Sequence, residues 1–211
     1  MKKILGIIFS IAFVTYITMS NFLWQKDITL YDIKFEKAKI IKDESRPYKP
    51  YIIGVLSNQS MVNGHHCAED WIHVDKNGNL ILFKSASKDL YNNIVIPKNT
   101  WIYILKDRFI CVFPDDQFID GYKIMHGKGV KGTQTAFYTS GKLKYFFSKQ
   151  NITIDGIECK GNPLLTVNLI GLYENGKLKN CTLANDMKIN GNQYKKGREL
   201  EFDDKGQFIN K

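Results

Sequence analysis

The sequence predicts an all-β chain, an elongated antiparallel meander of β-hairpin repeats preceded by an N-terminal hydrophobic helix. Three observations predict it. First, 16 Gly stand against 5 Pro, with 13 Phe and 11 Tyr, a composition suited to short strands joined by tight turns. Second, two different turn motifs recur in alternation along the chain. Third, 44% hydrophobic and 24% charged residues match a folded globular chain and exclude disorder, collagen and a multi-span membrane protein.

The N-terminus sets the compartment. Lys2 and Lys3 precede residues 4 to 25, which carry no charge and begin with the apolar stretch Ile4-Leu-Gly-Ile-Ile-Phe-Ser-Ile-Ala-Phe-Val14. That is the layout of a signal peptide. Thr18-Met19-Ser20 is a loose small-x-small cleavage site, and an uncut run to Trp24 reaches the roughly 20 residues that span a bilayer. Residues 1–24 are therefore a signal peptide or a signal anchor, and both outcomes stay open. Either way the chain is expected outside the cytoplasm, in the periplasm, the cell envelope or beyond. Membrane attachment would run through residues 4–24, and nucleic acid is not an expected partner.

Residues 25–53 read as a leader or linker. Ile28-Thr-Leu-Tyr-Asp-Ile-Lys-Phe-Glu-Lys-Ala-Lys-Ile40 alternates only partly, and Pro47-Tyr-Lys-Pro50 reads as extended because each proline pushes its predecessor out of the helical region. A linker accounts for this spacing better than a polyproline ligand.

The repeat domain is expected over 54–211. Three windows align without a gap: Val55-Leu-Ser-Asn-Gln-Ser-Met-Val-Asn-Gly64, Val112-Phe-Pro-Asp-Asp-Gln-Phe-Ile-Asp-Gly121 and Thr182-Leu-Ala-Asn-Asp-Met-Lys-Ile-Asn-Gly191. Ile154-Asp-Gly156 ends a fourth. Each closes on Asn/Asp-Gly turn chemistry. With Pro97 standing in the gap, the markers at Gly64, Gly121, Gly156 and Gly191 are spaced 33, 24, 35 and 35 residues apart. A period of that size signals stacked supersecondary units. Between them lie strand–turn–strand segments around Gly78, Gly141, Gly176 and Gly206, with Trp101-Ile-Tyr-Ile-Leu-Lys-Asp-Arg108 as a member lacking the glycine. These are hairpin signatures.

The turns Tyr173-Glu-Asn-Gly-Lys-Leu-Lys179 and Phe137-Tyr-Thr-Ser-Gly-Lys-Leu-Lys144 resemble the MORN-variant repeat of bacterial proteins. The likeness covers about residues 54 to 209 and is strongest in the last two units. It implies an antiparallel β-meander with roles in protein or membrane contact, and it carries over no catalytic residue and no cofactor.

Candidate chemistry is sparse. His65-His66-Cys67-Ala-Glu69-Asp70-Trp-Ile-His73 is the densest set of metal-capable side chains, a candidate for zinc or copper; on a strand His65, Cys67 and Glu69 share a face, and His66, Asp70 and His73 could meet around a turn. The plain reading is a loop with a half-buried cysteine, since later units offer no matching ligands. Four cysteines in an exported chain allow disulfides. Cys67 and Cys159 share one repeat slot and Cys111 and Cys181 another, too far apart in a straight array to bridge. Cys159 with Cys181 is the best single pair, with free buried thiols the alternative. Trp71 and Trp101 share a slot for which core filling is expected, with sugar or peptide stacking as the alternative. Gly127-Lys-Gly-Val-Lys-Gly132 lacks phosphate-loop spacing and reads as a flexible loop.

Charge is uneven. Of the net +9, residues 118–211 hold 15 Lys/Arg and 9 Asp/Glu (+6), whereas residues 21–117 hold 13 and 12 (+1). Lys142, Lys144, Lys177 and Lys179 follow two hairpin turns and alternate with Leu143 and Leu178, so each pair occupies the face opposite the leucines. The expected function is a non-enzymatic exported repeat module of the bacterial cell envelope, binding a protein or an anionic surface through these lysines. The alternative is a metal- or Cys-dependent hydrolase centred on His65 to His73.

Overall fold

A computed structural model describes residues 23–41, 50–164 and 167–209. The expected N-terminal helix, up to residue 22, and residues 47–49 of the proline segment lie outside the described residues. Among the described residues all regular structure is β, with no helix. The chain divides into two compact units after Ser87.

The first unit opens with β1 (Gln25–Leu30) and β2 (Ile33–Ile40). Tyr31 and Asp32, with φ of 51° and 60°, close them with a two-residue turn whose hand matches strand twist. The leader is thus a hairpin, and β2 pairs antiparallel with β3 (Ile52–Leu56). The chain then makes an excursion hairpin, β4 (Ser60–Val62) and β5 (His65–Cys67), and returns through β6 (Trp71–Val74) and β7 (Leu80–Lys84). The sheet order is β1-β2-β3-β6-β7.

The second unit reuses the plan. The hairpin of β8 (Asp89–Tyr91) and β9 (Ile94–Ile96) precedes the sheet strands β10 (Trp101–Ile104) and β11 (Arg108–Val112). The excursion of β12 (Gln117–Ile119) and β13 (Tyr122–Ile124) precedes β14 (Thr135–Tyr138) and β15 (Leu143–Phe146). That of β16 (Ile152–Ile154) and β17 (Ile157–Cys159) precedes β18 (Ile170–Leu172) and β19 (Leu178–Thr182). Last come β20 (Met187–Ile189), β21 (Asn192–Tyr194) and the sheet strand β22 (Glu199–Glu201). The sheet order is β10-β11-β14-β15-β18-β19-β22.

Two turn chemistries carry this plan. Excursions close on two successive left-handed residues: Asn63-Gly64, Asn92-Asn93, Asp120-Gly121, Asp155-Gly156 and Asn190-Gly191. Pro97 therefore does not mark the missing turn. Asn92-Asn93 does, since asparagine tolerates the left-handed region through its short polar side chain; the marker spacings from Gly64 become 29, 28, 35 and 35 residues. Sheet turns at Gly78, Gly141 and Gly176, with φ of 81°, 87° and 85°, each end in a register shift. This is a type I turn followed by a glycine bulge. The β10–β11 turn lacks the glycine and keeps its register, Leu105 N–H donating to the Arg108 carbonyl at 2.9 Å.

The core lies on the sheet face roofed by the excursions. Phe109 and Phe137 are cross-strand partners whose rings stack at 5.0 Å, with Phe113 edge-on to Phe137 at 6.3 Å. In the first four excursions the third residue past the turn, Cys67, Ile96, Ile124 or Cys159, is at most 1% exposed, whereas its counterpart in the last, Tyr194, is half-buried. Each large apolar side chain so buried contributes about 1.5–3 kcal/mol. Tyr hydroxyls tie successive repeats: Tyr138 donates to the Leu172 carbonyl at 2.9 Å and Tyr173 to that of Phe202 at 2.8 Å.

Gly141 and Gly176 share a slot and a positive φ, but only at Gly141 would an added Cβ meet the Asn92 carbonyl oxygen. Gly176→Ala is expected to cost about 1–2 kcal/mol from backbone strain alone. Gly141→Ala should cost more by urea denaturation, and equal costs would mean that the Asn92 turn yields freely.

Candidate functional site

The structure disperses the His65–His73 set. His65, on β5, stacks its ring on Phe83 at 5.3 Å. Tyr122 stacks in the same way on Phe146 at 5.4 Å. Both rings follow an excursion turn by one residue, so His65 fills a packing slot. His66 is exposed and opposite Met61, while Cys67 is buried and donates its S–H to the His65 carbonyl at 3.5 Å. His73 lies in the sheet, opposite Ile53 and Leu82. Among the described residues no group of three His, Cys, Asp or Glu side chains is placed to hold a metal ion.

All four cysteines are buried free thiols. Burial pushes the Cys67 thiol up from 9.0 to about 12, and Cys111 higher still. Cys159 is raised by its hydrogen bond with the Cys181 thiol, then by burial. The pair singled out in the sequence is thus in thiol–thiol contact. Nucleophilic cysteines work as thiolates, and the sites of Cys67, Cys111 and Cys159 disfavour that form.

A cluster that sequence spacing missed sits at the base of the β12–β13 excursion. Asp116 accepts hydrogen bonds from the His126 backbone N–H at 3.0 Å, from His126 Nδ1 at 2.6 Å and from the Lys149 ammonium at 2.8 Å. Burial works against its charge, but the bonds from Lys149 and His126, with the Lys149 charge, overcome it and hold the carboxyl well below its usual 3.8. The same clasp recurs where Asn151 accepts from Gly161 N–H at 3.1 Å and Asp186 from Lys196 N–H at 2.9 Å. In all three it links the fifth residue before the turn glycine to the fifth after it. The clasp fastens each hairpin at its root, and the recurring Asx at that offset was its readable signal.

The predicted basic residues keep their alternation: Leu143 and Leu178 are buried, Lys142, Lys177 and Lys179 exposed. Three of the four are partly engaged. Lys144 pairs with Asp107 at 3.1 Å and lies over the Tyr138 ring at 4.8 Å. Lys177 reaches Asp155 at 3.5 Å, and Lys179 lies over the Tyr173 ring at 5.5 Å.

The two tryptophans of one sequence slot part company. Trp101 is 7% exposed, as core filling requires, whereas Trp71 is 38% exposed on the open face of the first sheet. There it meets Trp24 edge-on at 5.5 Å. Lys37 lies over Trp71 at 5.8 Å and Lys39 over Trp24 at 4.9 Å. Elsewhere, Val95, Pro97 and Phe118 line an open cleft of about 630 Å³ with Lys88 and Lys98, inside the second unit.

No family model, curated protein or solved structure matches this chain.

Two outcomes follow. With its thiol pKa moved from 9.0 to about 12, Cys67 should react with iodoacetamide at least about a thousandfold more slowly in the reduced native chain than in urea. Because the folded pKa lies above the unfolded one, the stability Cys67 contributes is intact below pH 9.0 and lost as pH rises towards about 12. Fast native alkylation at neutral pH would contradict this. Second, Asp116→Ala should destabilise by about 1–3 kcal/mol and Asp116→Asn by less, since Asn151 makes the backbone bond in its own repeat. The Asp116 contribution is intact above pH 3.8 and fades as pH falls below it, which acid titrations of wild type and variant would read directly.

Proposed function

We propose that this chain is a non-enzymatic, exported repeat module of the bacterial cell envelope that binds an anionic surface or a protein through the open faces of its sheets. The observation that carries the reading is the division of chemistry between faces. The histidine and thiols with catalytic potential are spent on packing beneath the excursion hairpins, while lysines and aromatic rings project from the opposite face. The uncharged residues 4 to 25 behind Lys2 and Lys3 supply the export signal or anchor. The likeness to MORN-variant hairpins, with their protein and membrane contacts, points the same way. A hydrolase centred on His65 to His73 would need those side chains to converge, and they occupy different strands and faces.

Co-sedimentation of the full chain with vesicles containing phosphatidylglycerol tests the reading. Binding should exceed that to neutral vesicles at low salt and fade towards 1 M salt, where the screening length falls to about 3 Å. Changing Lys142, Lys144, Lys177 and Lys179 to Gln should weaken it by up to about 1 kcal/mol per lysine. Lys144 should contribute least because its ammonium is held by Asp107. No preference for anionic vesicles would refute the anionic-surface reading.

A further inference from the structure

We infer that the open face of the first sheet is a docking surface for an anionic lipid bilayer, with Trp24 and Trp71 seated at the membrane interface and Lys26, Lys37 and Lys39 on lipid phosphates. This rests on the anionic-surface reading and assigns it a place. The cross-strand register sets Lys26 opposite Lys37, Lys37 opposite Val55, and Val55 opposite Trp71. One row on one face therefore runs Lys-Lys-Val-Trp. Like charges directly opposite each other destabilise a sheet pair, and two tryptophans left 42% and 38% exposed forgo burial that the fold could have used. Neither feature serves the fold, and an apposed phosphate layer relieves the first while it buries the second.

Lys37 and Lys39 already hold their ammonium groups over the two indoles, so cations and rings present together. Tryptophan combines an apolar body with a polar N–H, which suits the headgroup level of a bilayer. Asp27 and Glu36 are exposed on β1 and β2, whereas Asp70, beside Trp71, is taken up by Lys84 at 3.1 Å and by the Trp71 backbone N–H at 2.8 Å. Position along the chain selects a bilayer over other polyanions: Trp24 ends the uncharged run of membrane-spanning length, and Leu23 beside it is 64% exposed.

The test uses the full chain with Trp24 and Trp101 changed to Phe, so that Trp71 alone emits. Vesicles with brominated acyl chains are prepared with and without phosphatidylglycerol. The expected result is Trp71 quenching by brominated anionic vesicles and much less by brominated neutral ones. A tether through residues 4–24 alone would give equal quenching in both. Adding Lys26→Gln, Lys37→Gln and Lys39→Gln should weaken the anionic-specific association about a hundredfold, at about 1 kcal/mol per lysine, with the circular dichroism spectrum unchanged. Trp71 unquenched while the chain co-sediments with anionic vesicles would overturn this assignment and leave the broader reading standing. Absence of any anionic preference would overturn both. Reversal of the quenching by a soluble glycerophosphate polymer, with the chain still on the vesicles, would reassign the patch to such polymers and overturn the bilayer.

Discussion

Everything else in this protein depends on roofing one face of a β-meander with short hairpins built from the same chain. A sheet of short strands has one face to bury and, among the described residues, no helix to bury it. The first four excursions solve this by tucking one residue, Cys67, Ile96, Ile124 or Cys159, into the space above the sheet. A two-stranded hairpin of three-residue strands is unstable alone, so each exists because the sheet beneath holds it. The left-handed Asn/Asp-Gly turns, the Asp116-type clasp at the hairpin root and the tyrosine latches between repeats all fix the depth and angle of that roof. Asn63 and Asp155 show the coupling, their side chains accepting the Leu80 and Leu178 backbone N–H groups at 2.8 and 2.9 Å. In these two repeats the excursion turn thereby locks the following sheet turn.

The division of labour between faces follows from this. Residues under the roof are constrained by volume and by the absence of water, which is why Cys67, Cys111 and Cys159 are held protonated and the His65 ring stands where a tyrosine stands two excursions later. The opposite face is freed from packing. It is where Lys144 and Lys179 rest on tyrosine rings and where Trp71 stays exposed.

Much of this was legible because turn chemistry is local. Asn/Asp-Gly and Tyr-x-Asn-Gly-Lys-Leu-Lys dictate backbone dihedrals within a few residues, so both hairpin families could be located from sequence. Two failures share a cause. Pro97 stands where glycine spacing places the missing marker, although Asn92-Asn93 satisfies the same left-handed geometry. The leader concealed a hairpin because Tyr31-Asp32 carries no glycine either. The candidate residues divide differently. Repeat arithmetic pairs Cys159 with Cys181 as a disulfide candidate, and the fold sets the two side by side as free thiols. The Asp116–His126–Lys149 cluster and the Trp24–Trp71 pair join residues 33 and 47 positions apart, and only cross-strand register brings such residues together.

The central claim is that residues at repeated slots beneath the roof serve packing, so that His65 is interchangeable with the tyrosine of its sister slot. Thermal unfolding of the wild-type chain and of His65→Tyr, each with and without added zinc, tests it most directly. The account predicts transition temperatures within about 4 °C of each other for the two chains, the shift of a substitution worth no more than about 1 kcal/mol, and no change on adding zinc. A wild-type chain stabilised by zinc, with that stabilisation abolished in His65→Tyr, would contradict it.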